Sequence, residues 1–205
     1  MDDPNVDEAT LKAALAEVTY VNKYLGGQQI TLDGLRFFFD RFPQKSYTIL
    51  DVGCGDGAML RSIANFARKR SIAVKLIGID INPKSISLAQ KRSQDFPELS
   101  FQVQDVFKLN ETHLEIDIIT STLTMHHFTD TEILKFLAQF LKLANLGIVI
   151  NDLQRSTIAY RLFQAYSRVF VRSAMARHDG LISIERAFTK NELLSFTSKL
   201  GVQSF

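Results

Sequence analysis

Three things are scarce in this chain: cysteine, long apolar runs and net charge. A single cysteine, Cys54, excludes an intramolecular disulfide. The first residues, M-D-D-P-N-V-D-E, are acidic and have no apolar signal core. No window approaches the roughly 18 consecutive apolar residues of a membrane span. A reducing, cytoplasmic setting without membrane insertion is therefore the expectation. A formal net charge of +2 creates no demand for a polyanionic partner, so nucleic acid is not expected either. The one local exception is the set of arginines at 155, 161, 168, 172 and 177, which reads as a solvated helix face before it reads as phosphate recognition. Internal repeats, low-complexity segments and linkers are also missing. The 205 residues therefore read as one domain, large enough to bury its own core.

What is present is concentrated in Tyr47 to Leu60, Y-T-I-L-D-V-G-C-G-D-G-A-M-L. A β-rich apolar run breaks there into three alternating glycines, the pattern of a buried strand, a turn and the start of a helix. Gly53, Gly55 and Gly57 let the main chain bend in ways closed to other residues and let a ligand lie against it. A helix starting near Gly57 would aim unpaired N–H groups and its positive dipole end at that ligand. Gly53, Gly55 and Ala58 satisfy the dinucleotide pattern G-x-G-x-x-G/A, so the glycines alone leave the cofactor open. Cys54 sits inside the turn, where a small apolar residue suffices, and no redox role is assigned to it.

Around this stretch the chain alternates. Residues 7–24 carry apolar positions at helical spacing, and Gly26-Gly27 ends them. A second helix is predicted from Leu32, its Phe37, Phe38, Phe39 and Phe42 covered on several sides. Strands are predicted over 48–52, 74–80, 100–103, 117–120 and 146–151. Helices are predicted over 58–70, 82–93, 130–145 and 156–171, followed by a polar turn over 172–180. Capping boxes at Thr129–Glu132 and Thr189–Glu192 each open a helix. Such alternation means a doubly wound α/β sheet, Rossmann-like and mostly parallel, with helices on both faces. Its ligands bind beyond the carboxyl ends of the strands. Asp51, Asp80, Asp105 and the segment Ser121 to His127 all fall at such ends.

L-D-V-G-C-G-D-G, with an acid two residues before the first glycine, a third glycine at 57 and Asp80 closing the next strand, resembles the first motif of class I S-adenosylmethionine-dependent methyltransferases. N-K-Y-L-G-G, N-D-L-Q-R-S-T-I-A-Y-R-L-F and R-H-D-G-L-I-S-I-E-R-A-F-T-K-N-E-L resemble bacterial small-molecule methyltransferases of polyketide and aromatic-metabolite pathways. The resemblance implies one methyltransferase domain over 1–205, with residues 1–45 a helical lid on the substrate side and 46–205 the cofactor-binding core. Such sheets finish with a strand pair, of which this chain holds only part of the first strand, V-Q-S-F. The expectation is that the pair is incomplete or completed from elsewhere, for instance by a second copy in a homodimer.

Carried onto this chain, the resemblance implies that Asp51 and the backbone of Gly53, Gly55 and Gly57 hold the methionine amino group. Asp80 would accept the ribose hydroxyls, as an acid at that position does in dinucleotide folds. Asp105 and Val106 would meet the adenine edge and Ile81 its face. Ser121 or Thr122, through a carbonyl, and His127 would close over the methionine. The acceptor would be small, apolar and aromatic, methylated at oxygen. Candidate bases are His126, Asp152 and His178, histidine being the side chain whose ordinary pKa lies near working pH. No residue stands at metal-ligand spacing from either histidine of the pair, so no metal is expected. An NAD-dependent oxidoreductase and a non-catalytic cofactor-binding subunit remain the alternatives.

Overall fold

The computed structural model describes residues 7–24, 26–109, 115–171 and 174–201. Two helices, α1 (Glu8–Tyr24) and α2 (Gly27–Arg41), precede the first strand, β1 (Ser46–Val52). Then follow α3 (Ala58–Lys69), β2 (Ala73–Asp80), α4 (Pro83–Arg92), β3 (Leu99–Val103), β4 (Ile116–Thr122), α5 (Asp130–Leu143) and β5 (Ala144–Asn151). Three helices close the described chain: α6 (Thr157–Phe170), α7 (Ala174–Arg186) and α8 (Lys190–Lys199). The five strands form one parallel sheet in the order β3-β2-β1-β4-β5. Order reverses beside β1, so the crevice beyond its carboxyl end is the switch point where such sheets bind ligands.

Strand periodicity distributes the core between two layers. On one face Ile49, Leu76 and Ile118 meet Leu35 and Phe39 of α2, Leu60 and Ile63 of α3 and Ile86 of α4. On the other, Leu50, Val52, Ile77 and Ile119 meet Ile133, Phe136 and Phe140 of α5 and Phe196 of α8. Both predicted capping boxes form, with Thr129 and Thr189 each exchanging hydrogen bonds with the glutamate three residues on. Asn82 caps α4 through Lys84 N, and Pro83 occupies the first turn.

The structure departs from the sequence reading in three places. First, α2 begins at Gly27, not Leu32, because tertiary partners hold its first turn. Asn151 Nδ2 donates to Gly27 O at 2.6 Å and to Thr31 Oγ1 at 3.0 Å, and Thr31 Oγ1 lies 3.1 Å from Thr122 Oγ1. Second, the phenylalanines of this segment are not covered on several sides. Phe39 is buried, whereas Phe37 and Phe42 are 43% and 42% exposed, since α2 turns one face to the sheet and the other outward. Third, within the segment predicted as a polar turn, residues 174–180 belong to α7, where Gly180 lets Phe163 of α6 approach to 2.5 Å of where a Cβ would stand. The predicted terminal strand, 202–205, lies outside the described residues.

Burial of the central strands makes a direct prediction. Replacing Ile118 or Ile119, both wholly buried, with alanine should lower the free energy of unfolding by about 2–5 kcal/mol each. Ile158→Ala, at a residue 73% exposed, should change it by no more than about 0.5 kcal/mol. Urea denaturation followed by circular dichroism checks both.

Candidate active site

Each residue of the glycine turn is fixed by what lies beneath it. Gly53 N and Cys54 N both donate to Ile79 O, at 2.9 and 3.0 Å, which ties the turn to the end of β2. Gly55 N donates to Asp80 Oδ2 at 2.9 Å, and Asp80 Oδ1 accepts from Asn82 N at 2.9 Å. The glycines at 53, 55 and 57 take φ of 72°, 53° and 75°, the left-handed region. A Cβ on Gly53 would stand 2.4 Å from Thr124 Oγ1, and one on Gly57 would stand 2.7 Å from the Phe101 ring. Asp56, buried within the turn, ties it to α3 and α4. Its Oδ1 accepts from Ala58 N at 3.0 Å, its carboxylate pairs with Arg92, and its carbonyl accepts from Arg61 Nη1 at 2.6 Å. The sequence reading passed over Asp56, whose only signal was an acid placed to cap α3.

Beyond the strand ends opens a cavity of about 530 Å³, within the range that small-molecule sites occupy. Its floor is the turn, with Asp51, Gly53 and Gly55; its sides are Asp80, Ile81, Asp105, Val106, Thr122 and His127. Its roof is α1, through Leu11, Leu15, Val18, Thr19 and Asn22. Leu15 Cδ2 comes within 3.5 Å of a Cβ built on Gly55, so helix and turn face each other across the opening. Thr19 and Asn22 bring polar groups to the roof that the apolar periodicity of α1 did not advertise.

Gly57 and Ser121 do not line the cavity. Gly57 caps α3, and Ser121 is buried within β4, paired with Val52 and Ile150. His178 is exposed on α7 and is not among the walls either. His126 and Asp152 are brought together instead: Nδ1 of His126 donates to Oδ1 of Asp152 at 2.6 Å, with the two side chains 3% and 1% exposed. Asp152 Oδ2 also accepts from Met125 N at 2.8 Å and His126 N at 3.3 Å. The carboxylate thus clamps the 3-10 turn Met125–His127 onto the end of β5, while the buried Nε2 of His126 meets no hydrogen-bond partner among the described residues. Leu123, just before that turn, holds φ at 54°, strain of about 1–2 kcal/mol for a residue of its kind.

Electrostatics centre on Asp51, which is 2% exposed. Burial, opposed by a 2.7 Å hydrogen bond from Thr120 Oγ1 and reinforced by the charge of Asp80, raises its pKa to about 7. The same burial and the same two acids push the Cys54 thiol well up, leaving it an inert apolar wall. A buried carboxylate pushed toward neutrality is what an incoming cation would restore to its charged form. Among the described residues no group of metal-ligating side chains accompanies it.

Residues 43–178 match the family model of a methyltransferase domain. Malonyl-[acyl-carrier protein] O-methyltransferase 1 of Ilyobacter polytropus is 28% identical over 182 residues, covering 88% of this chain and 62% of its own length. A Bacillus subtilis protein named for methylating guanine N1 in 23S rRNA is 26% identical over 147 residues, 72% of this chain and 46% of its own. The chain therefore spans less than two thirds of either relative. Among solved structures, the plantazolicin methyltransferase BpumL in complex with SAH superposes with a TM-score of 0.70 at 18% identity, over 94% of this chain and 75% of that one, a likeness of fold. With well over half of its length matched, and the glycine turn inside the match, the chain belongs to the methyltransferase-domain family.

Proposed function

We propose that the chain is an S-adenosylmethionine-dependent methyltransferase of small-molecule acceptors and that the cavity beyond β1 holds the donor. The observation that carries this reading is the buried Asp51 at the floor of a left-handed glycine turn, with Asp80 beside it and Asp105 on the cavity wall. A site built for a dinucleotide pyrophosphate would set an anion against Asp51, whereas an ammonium suits it.

In this reading the Asp51 carboxylate and the turn at Gly53 and Gly55 receive the amino-acid end of the donor. Asp80, which lines the cavity and is oriented by accepting from Gly55 N and Asn82 N, takes the ribose hydroxyls. Ile81, 67% exposed at the cavity wall, offers an apolar face to adenine, and Asp105 and Val106 its polar edge. Thr122, which borders the cavity, supplies the carbonyl for which Ser121 was the other candidate. The bound donor supplies an electrophilic methyl group on a sulfonium.

The protein's own contribution is then orientation and exclusion of water, through α1 above and the clamped turn beside the site. His126 and Asp152 act by holding that turn, which keeps His127 at the cavity wall. His127 is accordingly the histidine we place beside the acceptor, and His178 is left without a catalytic part. The acceptor is small and methylated at oxygen; the apolar roof of Leu11, Leu15 and Val18 and the oxygen specificity in the Ilyobacter relative's name support this. Transfer of labelled methyl to a panel of phenols and carboxylic acids, with amines and RNA as controls, tests the acceptor class. Labelling of amines or RNA alone contradicts it.

Two substitutions test the donor site. Asp80→Ala removes the proposed acceptor of two hydroxyls at about 1.5–3 kcal/mol per charged hydrogen bond, so affinity for S-adenosylhomocysteine measured by calorimetry should fall at least about a hundredfold. Unchanged affinity removes Asp80 from the site.

The raised pKa of Asp51 sets a pH dependence of definite sign. Between the ordinary carboxylate range and about 7 the folded chain binds the proton that the unfolded chain has lost. The free protein therefore loses stability as pH rises through that window. Ligand ammonium requires the ionised form, so affinity should fall by up to about tenfold per pH unit below 7. Asp51→Asn should bind weakly at every pH and unfold at higher temperature than wild type at pH 8. A wild-type affinity that is flat from pH 5 to 8 by calorimetry contradicts the assignment.

A further inference from the structure

Between Asp152 and Asp179 the chain has no acidic residue, and it carries all five arginines of the cluster at 155, 161, 168, 172 and 177. Arg155 is paired with Glu192, and Arg172 lies outside the described residues. Arg161 and Arg168 belong to α6, two turns apart. Among the described residues Arg161 bonds only the Gln164 amide, at 3.5 Å, and neither arginine has a carboxylate partner.

One side of α6 packs on α7, where Phe163 lies against Gly180. The opposite side is bare. Ile158, Leu162 and Val169 are 73%, 67% and 74% exposed, with exposed Ala165 between them, and their spacing of four, three and four residues puts all four on one stripe. Arg161 and Arg168 run along one edge of the stripe. On the other edge Tyr166 and Phe170 stack at 4.9 Å, with Phe170 66% exposed. No functional assignment made for the cavity uses any of these residues.

The charges select what covers the stripe. A second copy packed antiparallel would bring arginines against arginines, which repel. A protein partner would need a groove to receive a single convex helix whose centre offers only aliphatic groups. A fluid anionic surface meets both features at once: the aliphatic stripe enters the headgroup boundary, and the arginine stems lie along it with guanidiniums among phosphates. We propose that α6 is a membrane-surface helix that seats the protein reversibly on anionic lipid. Among the described residues no helix is long and apolar enough to cross a membrane, so the association is peripheral.

Co-sedimentation of the purified chain with phosphatidylcholine vesicles, with and without phosphatidylglycerol, tests this. Binding to the mixed vesicles should exceed binding to neutral ones by at least about tenfold and weaken at high salt. Leu162→Asp and the double variant Arg161→Glu/Arg168→Glu should each lower it by about tenfold or more. Both should keep the wild-type circular dichroism spectrum and S-adenosylhomocysteine affinity, since these side chains are exposed and outside the cavity. Absence of binding to the mixed vesicles, equal binding to both kinds, or variants that bind like wild type would overturn the proposal. So would a dimer in light scattering that Leu162→Asp disperses, which assigns the stripe to a second copy. Association with polyglutamate but not with vesicles would assign it to an acidic protein, and equally overturn it.

Discussion

Parallel pairing forces the carboxyl ends of all five strands to one side, and in this chain that side receives acids. Asp51 and Asp80 end neighbouring strands, and the charge of Asp80 raises the cost of ionising Asp51. Burial adds to that cost for Asp51 and brings its pKa to about 7. The free protein holds this arrangement at the expense of stability, a common mark of a site prepared for a ligand. The glycine turn depends on it as well, because Asp80 is the acceptor that fixes Gly55 N. The sheet thus sets the acids, the acids set the turn, and the turn sets the cavity floor.

The loop after β4 shows how that floor acquires a wall. Leu123 is strained, and its N–H donates to Asn151 O at 2.9 Å. Asp152, the next residue on, accepts from Met125 and His126. Neighbouring residues at the end of β5 therefore grip both halves of the loop. Asn151 further reaches Gly27 and Thr31 of α2, so one strand end orders both the loop and the first turn of α2, the helix that follows the roof.

This division explains what could be read from sequence. Local signals named the sheet, the glycine turn, Asp80 at the end of β2 and the two capping boxes, since alternation, glycine spacing and T-x-x-E each act within a few residues. Contacts across long sequence distances were not legible. The start of α2 depends on Asn151, more than a hundred residues away, and α7 forms where a polar run suggested a turn because α6 is there to pack on. The pairing of His126 with Asp152 is of the same kind. As isolated residues both passed for bases, and only the fold shows them bonded to one another and buried. The arginine cluster was visible as charge, but the bare aliphatic stripe beside it appears only once α7 is seen to occupy the other side of α6.

The cavity beyond β1 is proposed to receive a nucleoside joined to an amino acid, with its cationic end at Asp51. A crystal structure of the chain grown with S-adenosylhomocysteine tests this most directly. The ligand ammonium should lie against Asp51 and the turn at Gly53, the ribose hydroxyls on Asp80 and the adenine between Ile81 and Asp105. Ligand bound elsewhere, or bound here with its amino-acid end away from Asp51, would contradict it.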